Sequence, residues 1–295
     1  MSAAGLRLGA VVLTMGDRPA ELRALLESVA KQDGEPVATV VVGNGTPLPE
    51  LPPGTRTVEL AENLGIPGGR NVGVEAFGTG GEEVDAVLFL DDDGLLARQD
   101  TAELVRAAFA ADPGLGIISF RIVDPVSGTT QRRHVPRLRA SDPMRSSRVT
   151  TFLGGACAVR TAVLRQVGGL PDEFFYAHEE TDLAWRALDA GWSIEYRSDL
   201  VLEHPATPPS RHAVYHRLVA RNRVWLARRN LPAPLVPLYL GTWIALTLAR
   251  RPAPAALRAW LGGFKEGWAT PCGPRRPMKW RTVFRLTRLG RPPII

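Results

Sequence analysis

The stretch Ala86-Val-Leu-Phe-Leu-Asp-Asp-Asp-Gly94 decides the fold. An unbroken apolar run of this length marks a strand buried on both faces, the kind found in parallel sheets. It stops abruptly at three aspartates and a glycine. Working back from it, Arg56 to Leu60 reads as a short strand. Val37 to Val42 is a second apolar strand, ended by the turn Gly43-Asn44-Gly45, and Leu6 to Thr14 is a third. Between these last two, Leu22, Leu25, Leu26 and Val29 share one helical face, with Asp17 as the expected cap and Pro19 in the first turn. Working forward, a helix is predicted around Thr101 to Ala111 and a strand over Gly116 to Val123. Arg132 to Arg148 is basic, polar and Pro-containing, and reads as a long loop. A strand over Gly154 to Arg160 and a short helix over Thr161 to Val167 follow, the latter closed by Gly168-Gly169. Glu179 to Ala190 is a helix stopped by Gly191, and late strands are predicted at Ile194 to Tyr196 and Leu200 to Leu202.

Strands that alternate with helices give βαβ units and a mainly parallel sheet. Ligands of such sheets bind beyond the carboxyl ends of the strands. Thr14, Asn44 and Asp91 to Asp93 all stand at such ends, so they are expected to converge on one crevice.

The chain is 295 residues long, 45% hydrophobic and 22% charged. That excludes a disordered, collagenous or polytopic membrane protein. Two cysteines, Cys157 and Cys272, are too few for a disulfide scaffold or a cysteine-based zinc site. They fit a reducing compartment, and the first residues lack the pattern of a secretory leader. A cytoplasmic location is therefore expected. The net charge of +6 is unevenly spread. Residues 211–295 hold 17 Lys+Arg and a single acid, Glu266, so the region before them is acidic. Such a basic segment prefers an anionic surface.

Four constellations carry chemistry. Asp91-Asp92-Asp93 at the lip of a buried strand suits a hard divalent cation such as Mg2+ or Mn2+, against the plain alternative of a solvated acidic turn. His178-Glu179-Glu180-Thr181-Asp182 opens a helix. Its acids either complement the helix dipole or supply a general base facing the crevice. Asn63-Leu-Gly-Ile-Pro-Gly-Gly-Arg-Asn71 is neither a P-loop nor a dinucleotide fingerprint. It reads as a glycine-rich loop leading into a helix through Val74 and Phe77, with Arg70 opening that helix beside an anion. His204 closes the last strand, where it could reach the same cation as Asp93.

Together these segments resemble family 2 glycosyltransferases of the GT-A fold, specifically the bacterial rhamnosyl- and galactofuranosyltransferase-like kind. The matching segments are VVLTMGDRPAELRALLESVAKQ, VVVGNGT, NLGIPGGRNVG, LFLDDDG, FLGGACAVRTAVLRQVGGLPDEFFYAHEETDLAWRALDAGW and the histidine of LEHP, in order over roughly residues 8 to 205. The resemblance implies a Rossmann-like, mainly parallel mixed sheet flanked by helices, with a helical, basic C-terminal extension. It implies a catalytic domain over 1–210, its nucleotide-sugar half about 1–125 and its acceptor half about 126–210, followed by a basic region over 211–295. It also implies metal-dependent, inverting transfer from a nucleotide-diphosphate sugar to an acceptor hydroxyl in cell-envelope or polysaccharide synthesis.

By the same resemblance Asp91 and Asp93 match the DXD signature. Asp93 would be the metal ligand, aided by Asp91 and His204, and Asp91 would also lie near the nucleotide ribose. Glu180 matches the catalytic base, while Glu179 and Asp182 match flanking acids that hold the helix start and touch the acceptor. Thr14, Asn44, Arg70, Asn71, Asp91 and Asp92 fall on the donor side. The chain departs from the pattern at Gly43, where the family usually has an Asp that contacts a uracil-type base, and at Glu180, where Asp is commoner.

Past Ser210 the character changes. RHAVYHRLVARNRVWLARRN is an Arg-rich helix with Val214, Leu218 and Trp225 on one side. Leu235 to Ala249 is apolar but, at 15 residues, shorter than the roughly 20 a bilayer span requires. Flanked by Arg228-Arg229 and Arg250-Arg251, it suits the inner face of an anionic plasma membrane as a peripheral segment, against the alternative of a helix packed on the protein. A glycan or lipid-linked acceptor fits this tail. Three rivals fare worse. A haloacid-dehalogenase-like phosphatase would use Asp91 as nucleophile and Asp93 as acid, but lacks its downstream Lys and has Leu95 in place of the usual Thr. A nucleic-acid binder would have only Arg clusters to show, with no recognition motif, so no specific nucleic acid is expected. A non-catalytic scaffold of the same fold is disfavoured by the joint presence of Asp91, Asp93, Glu180 and His204.

Overall fold

The structure is a computed structural model that describes residues 5–53, 55–79, 81, 83–138, 142–206 and 214–295. Strands β1 (Leu8–Thr14), β2 (Ala38–Asn44), β3 (Arg56–Leu60) and β4 (Ala86–Asp91) alternate with helices α1 (Pro19–Ala30) and α2 (Gly65–Thr79). The chain continues through β5 (Leu95–Leu96), α3 (Thr101–Ala111), β6 (Leu115–Val123), β7 (Ser147–Val149), β8 (Ala156–Arg160), α4 (Thr161–Val167), α5 (Glu179–Asp189) and β9 (Ser193–Glu203). These strands form one sheet in the order β3-β2-β1-β4-β8-β6-β9-β5, with β7 on β9. β1, β2, β3 and β4 run parallel, whereas β8 is antiparallel to both β4 and β6.

The apolar strands split between two cores by simple alternation. Val11, Val40, Val42, Val87 and Phe89 face one side. Ala10, Val12, Val41, Leu88 and Leu90 face the other, against Leu22, Leu25 and Leu26 of α1 and Val105 and Phe109 of α3. The strand order reverses between β1 and β4, so the chain turns away in opposite directions there and opens a crevice at the carboxyl ends. Leu13 pairs with Asp91 and Thr14 with Gly43, which brings the expected residues to one rim.

The C-terminal region is helical: α6 (Tyr215–Asn230), α7 (Leu235–Ala249), α8 (Pro254–Ala269) and α9 (Trp280–Arg288). The expected division at residues 210/211 lies outside the described residues, and the two parts do not have separate cores. Val224, Trp225 and Leu226 of α6, Tyr239 and Leu240 of α7 and Leu286 of α9 belong to the same apolar cluster as Val11, Phe89 and Leu183. α8 lies against α6 through Gly263 and Gly267, where a Cβ would overlap the Arg217 carbonyl or come within 2.7 Å of Val224. Among the described residues no helix is long and apolar enough to cross a membrane.

Several boundaries differ from expectation, each for a physical reason. The glycine-rich segment is not a loop before a helix but the first part of α2. Arg70 is its sixth residue rather than its opening one. Gly69 and Gly73 face β1, where a Cβ would overlap Leu13 and Val11. Close packing therefore decides the composition that propensity alone would read as loop. The N-cap of α1 is Arg18, not Asp17, and no side chain caps the helix. The two late strands are one, β9, with a register shift against β6 where Arg197 to Val201 bulges. Gly154 and Gly155 precede β8 rather than starting it. Val214, read as sharing one side of the Arg-rich helix with Leu218 and Trp225, is the N-cap of α6 and exposed, while Leu218 and Trp225 are buried.

Candidate active site

The crevice is a cavity of about 640 Å³ lined by Thr14, Arg18, Asn44, Arg70, the three aspartates, His134, Phe175 and His204, among others. Its size is that of a small-molecule site. The charges on its floor are paired. Thr14 Oγ1 donates to Asp92 Oδ2 at 2.7 Å, and Arg18 Nη1 donates to Asp93 Oδ2 at 2.6 Å and to Asp92 Oδ1 at 3.2 Å. Arg70, buried at 3% exposure, donates from Nη2 to Asp91 Oδ1 at 2.9 Å. Burial pushes Asp92 up to about 6 despite the Thr14 hydrogen bond and the Arg18 charge. Asp93 goes the other way. Burial opposes its ionisation, but the His204 hydrogen bond and the His204 and Arg18 charges hold it below the ordinary range.

His204 Nε2 lies 3.0 Å from Asp93 Oδ1 and 3.8 Å from Asp91 Oδ2. Two carboxylates and an imidazole thus converge, a donor set suited to Mn2+ or Mg2+. Among the described residues no three His, Cys, Asp or Glu side chains already stand as a metal cage, and this trio contains no ready-made one. Burial lowers the pKa of His134 to about 4, helped by Arg133, and its ring meets His204 edge-on at 6.5 Å.

Glu180 reaches the same place from the other half. A Cβ on Gly154 would overlap Glu180 Oε1 and come within 2.6 Å of Arg70 Nη1, and one on Gly155 would overlap Asp91. The glycine pair therefore lets Glu180, Arg70 and Asp91 meet around bare backbone. Burial raises the pKa of Glu180, opposed by the Arg70 guanidinium. Glu179 is fully buried, its Oε2 has no hydrogen-bond partner, and burial together with Glu180 holds its pKa well above the ordinary carboxylate value.

The backbone before α5 is strained. Phe175, Ala177 and His178 all sit at positive φ, between 62° and 70°, although none is glycine. Such conformations persist only where surrounding contacts impose them. Asn222 of α6, with no exposed surface, donates from Nδ2 to the carbonyls of Phe174, Tyr176 and Ala177 at 2.8 Å each. Ile66 N donates to the Phe175 carbonyl at 2.8 Å, and Gly65 is packed so closely there that a Cβ would overlap it.

The expected residues thus divide. Thr14, Asn44, Arg70, Asp91, Asp92, Asp93 and His204 line the crevice, and Glu180 adjoins it. Asn44 spends its carboxamide on structure, donating to Asn63 Oδ1 and the Gly65 carbonyl and accepting from Leu64 N. Asn71 does not face the crevice. Its carboxamide bonds the backbone of Leu170 and the side chain of Asp172, tying α2 to the loop after α4. Asp182 is also removed from any acceptor: wholly buried, it accepts from Arg186, Arg229 and Asn230 and fastens α5 to α6. Gly43 has no room for the missing Asp, since a Cβ would lie 2.5 Å from the Thr46 carbonyl oxygen. Arg18, the Gly154-Gly155 pair and Asn222 were not singled out by the sequence reading. Arg18 had one signal, its place just past the carboxyl end of β1. Asn222 had none.

The sequence model for glycosyl transferase family 2 matches residues 10–168, more than half of the chain. The chain belongs to that family. Over 168 residues this family 2 chain is 29% identical to the pre-mycofactocin glycosyltransferase of Mycobacterium tuberculosis, a match covering 54% of this chain and 32% of that protein. It thus spans about a third of the length of the curated relatives it matches. Solved structures share its GT-A fold. The mannosyltransferase PcManGT from Pyrobaculum calidifontis, in complex with GDP-Man and Mn2+, is 19% identical with a TM-score of 0.55, over 97% of this chain and 80% of that one. GalNAc-T7 with UDP, GalNAc and Mn2+ is 12% identical with a TM-score of 0.62, over 88% and 54%. S. aureus TarS 1–349 with UDP-GlcNAc is 15% identical with a TM-score of 0.59, over 90% and 82%.

Proposed function

We propose that this family 2 chain transfers a sugar from a nucleotide-diphosphate donor to an acceptor hydroxyl with inversion. The observation that carries the reading is the meeting of Glu180, Arg70 and Asp91 at Gly154-Gly155, beside a crevice with Arg18 and the remaining aspartates on its floor. In this reading Glu180 takes the proton from the acceptor hydroxyl as it attacks the anomeric carbon from the face opposite the leaving diphosphate. Its raised pKa suits a base working near neutrality. Arg70, within reach of Glu180, keeps that carboxylate ionisable and orients Asp91 toward the donor. Arg18 gives the floor a fixed positive charge at the aspartate cluster. Asp93, Asp91 and His204 would hold a divalent cation, which supplies Lewis-acid neutralisation of the departing diphosphate. That two of the compared structures were solved with Mn2+ supports this choice of ion.

The filled space at Gly43 argues for base recognition unlike that of relatives with an Asp there, so UDP-, dTDP- and GDP-sugars are all candidates. Glu180→Gln should all but abolish transfer, lowering it roughly a thousandfold, yet leave nucleoside diphosphate binding intact. Near-normal turnover in that variant would remove Glu180 from the role of base.

The same reading extends to a membrane surface carrying the glycan or lipid-linked acceptor, with the protein peripheral to it on the cytoplasmic side. Only Tyr239 and Leu240 of α7 are buried, and Leu238 and Leu248 are more than half exposed. Leu261, Trp268, Trp280 and Phe284 are exposed on the neighbouring helices, and Arg250 and Arg251 flank α7. Apolar surface beside arginines is attracted to anionic lipid. Sedimentation with anionic vesicles that weakens as salt rises is expected. Absence of binding at low salt would refute this part.

A further inference from the structure

Four arginines are deeply buried among the described residues: Arg70, Arg106, Arg223 and Arg229. Three of them have a carboxylate: Asp91 for Arg70, Glu103 for Arg106 and Asp182 for Arg229. Arg223, 8% exposed, has none. Its contacts are the Tyr239 hydroxyl at 3.2 Å from Nη1 and the face of Trp243, 3.4 Å from the guanidinium carbon to the ring centroid. A guanidinium cannot shed its charge, and a buried charge without a counter-ion is costly.

Arg223 lines a small enclosed pocket of about 50 Å³ behind the first turn of α5. Arg291 lines it too and likewise makes no ion pair among the described residues; burial, and the charge of Arg223, lower its pKa. The other polar side chains on the wall can all donate. His178 Nε2 and Trp243 Nε1 are buried without a hydrogen-bond partner, and Tyr239, Thr150, Thr151 and Thr181 add hydroxyls. No Asp or Glu side chain lines the pocket, although the last residue of the chain, Ile295, does. Its volume holds about four waters at some 10–15 Å³ each, the room a phosphate group takes.

We propose that Arg223 and Arg291, with His178, Trp243 and Tyr239, form an anion subsite that binds a phosphate group. His178 and Thr181 flank Glu180 in sequence, so the subsite shares the turn that carries the base. Resting on the proposed transfer reaction, this names the acceptor class: one that carries a phosphate, seated here while its hydroxyl meets Glu180. The anion site itself stands apart from that reaction, because it is separate from the aspartate crevice.

The test is calorimetric titration of the full chain with inorganic phosphate, with the donor crevice first saturated by Mn2+ and the nucleoside diphosphate that binds it. Ionic strength is held with NaCl. Saturable binding is expected, at least tenfold weaker in Arg223→Met and weakened in Arg291→Gln. In phosphate-free buffer Arg223→Met should melt no lower than the parent, since a buried unmatched charge is removed. Dodecyl phosphate separates the sources. Binding tighter than inorganic phosphate assigns the group to a lipid, since α7 carries its apolar face beside Tyr239 and Trp243. Equal binding assigns it to a soluble phosphate ester. Absence of saturable phosphate binding, or equal affinity in both variants, overturns the proposal. Failure of diphosphate to bind with Mn2+ would instead count against the transfer reaction, and phosphate would then be titrated alone.

Discussion

The donor crevice and the pocket behind α5 use arginine in opposite ways. In the crevice two arginines meet carboxylates: Arg18 joins Asp92 and Asp93, and Arg70 joins Asp91. Behind α5, Arg223 and Arg291 make no ion pair with an Asp or Glu among the described residues. On the turn between the two regions the imbalance reverses, since Glu179 and Glu180 stand side by side and share the charge of Arg70. A matched floor holds its shape before any ligand arrives. An unmatched wall leaves charge for the ligand to complete. Under the proposed transfer reaction, the donor side is preorganised and the acceptor side is completed by its substrate.

The largest expected effect lies at the junction. Glu180→Gln should lower kcat roughly a thousandfold, the usual scale of a lost general base, with diphosphate affinity unchanged. A parallel loss of both would blur the line between the two regions. Next comes the brace. Asn222→Ala should cost about 2 kcal/mol of stability in denaturant unfolding, near 1 for each of the two amide hydrogens shared among the three carbonyls of the strained turn. It should also depress kcat more than the affinity for donor. If only stability falls, the turn does not need the C-terminal region for function. On the donor side, Asp93→Asn should weaken Mn2+-dependent diphosphate binding on the order of tenfold, about 1.4 kcal/mol. Metal-independent binding of the same strength in both forms would set Asp93 aside as a ligand.

The smallest effect concerns pH. Glu179 has a folded pKa above its ordinary 4.5, so its contribution to stability is fully present below that value and is lost as pH rises through the raised pKa. Glu179→Gln should flatten that decline and melt higher than the parent at neutral pH, read as Tm against pH. The activity profile runs the other way. Glu180 must be ionised to act, so turnover should rise with pH along a limb lying above the ordinary glutamate range. A limb at the ordinary value would show a base in contact with solvent.

Much of this was legible in the residues. Arg56–Leu60, Thr101–Ala111 and Thr161–Val167 occur as elements with the ends the pattern predicted, and the apolar run Leu235–Ala249 is a helix. Strand ends placed Thr14 and Asp91 on one rim, because parallel order turns sequence position into spatial position. The losses have shared causes. The glycines of α2 read as loop because glycine disfavours helix, whereas their reason is contact with Leu13 and Val11, which only tertiary structure contains. Asp182 and Asn71 belong to motif-bearing segments, yet their side chains are consumed by Arg229, Asn230 and the Leu170 backbone. A motif carries residue type but not the partner a side chain finds. Asn222 lies in an Arg-rich helix with no pattern of its own, and only the three carbonyls around it reveal its role.

The most direct test of the account is release of nucleoside diphosphate from UDP-, dTDP- and GDP-sugars by the purified chain, with and without Mn2+. The account predicts release from one nucleotide class, dependent on Mn2+ and lost in Asp93→Asn. A well-folded protein that binds none of these donors and releases no diphosphate with Mn2+ present would contradict it.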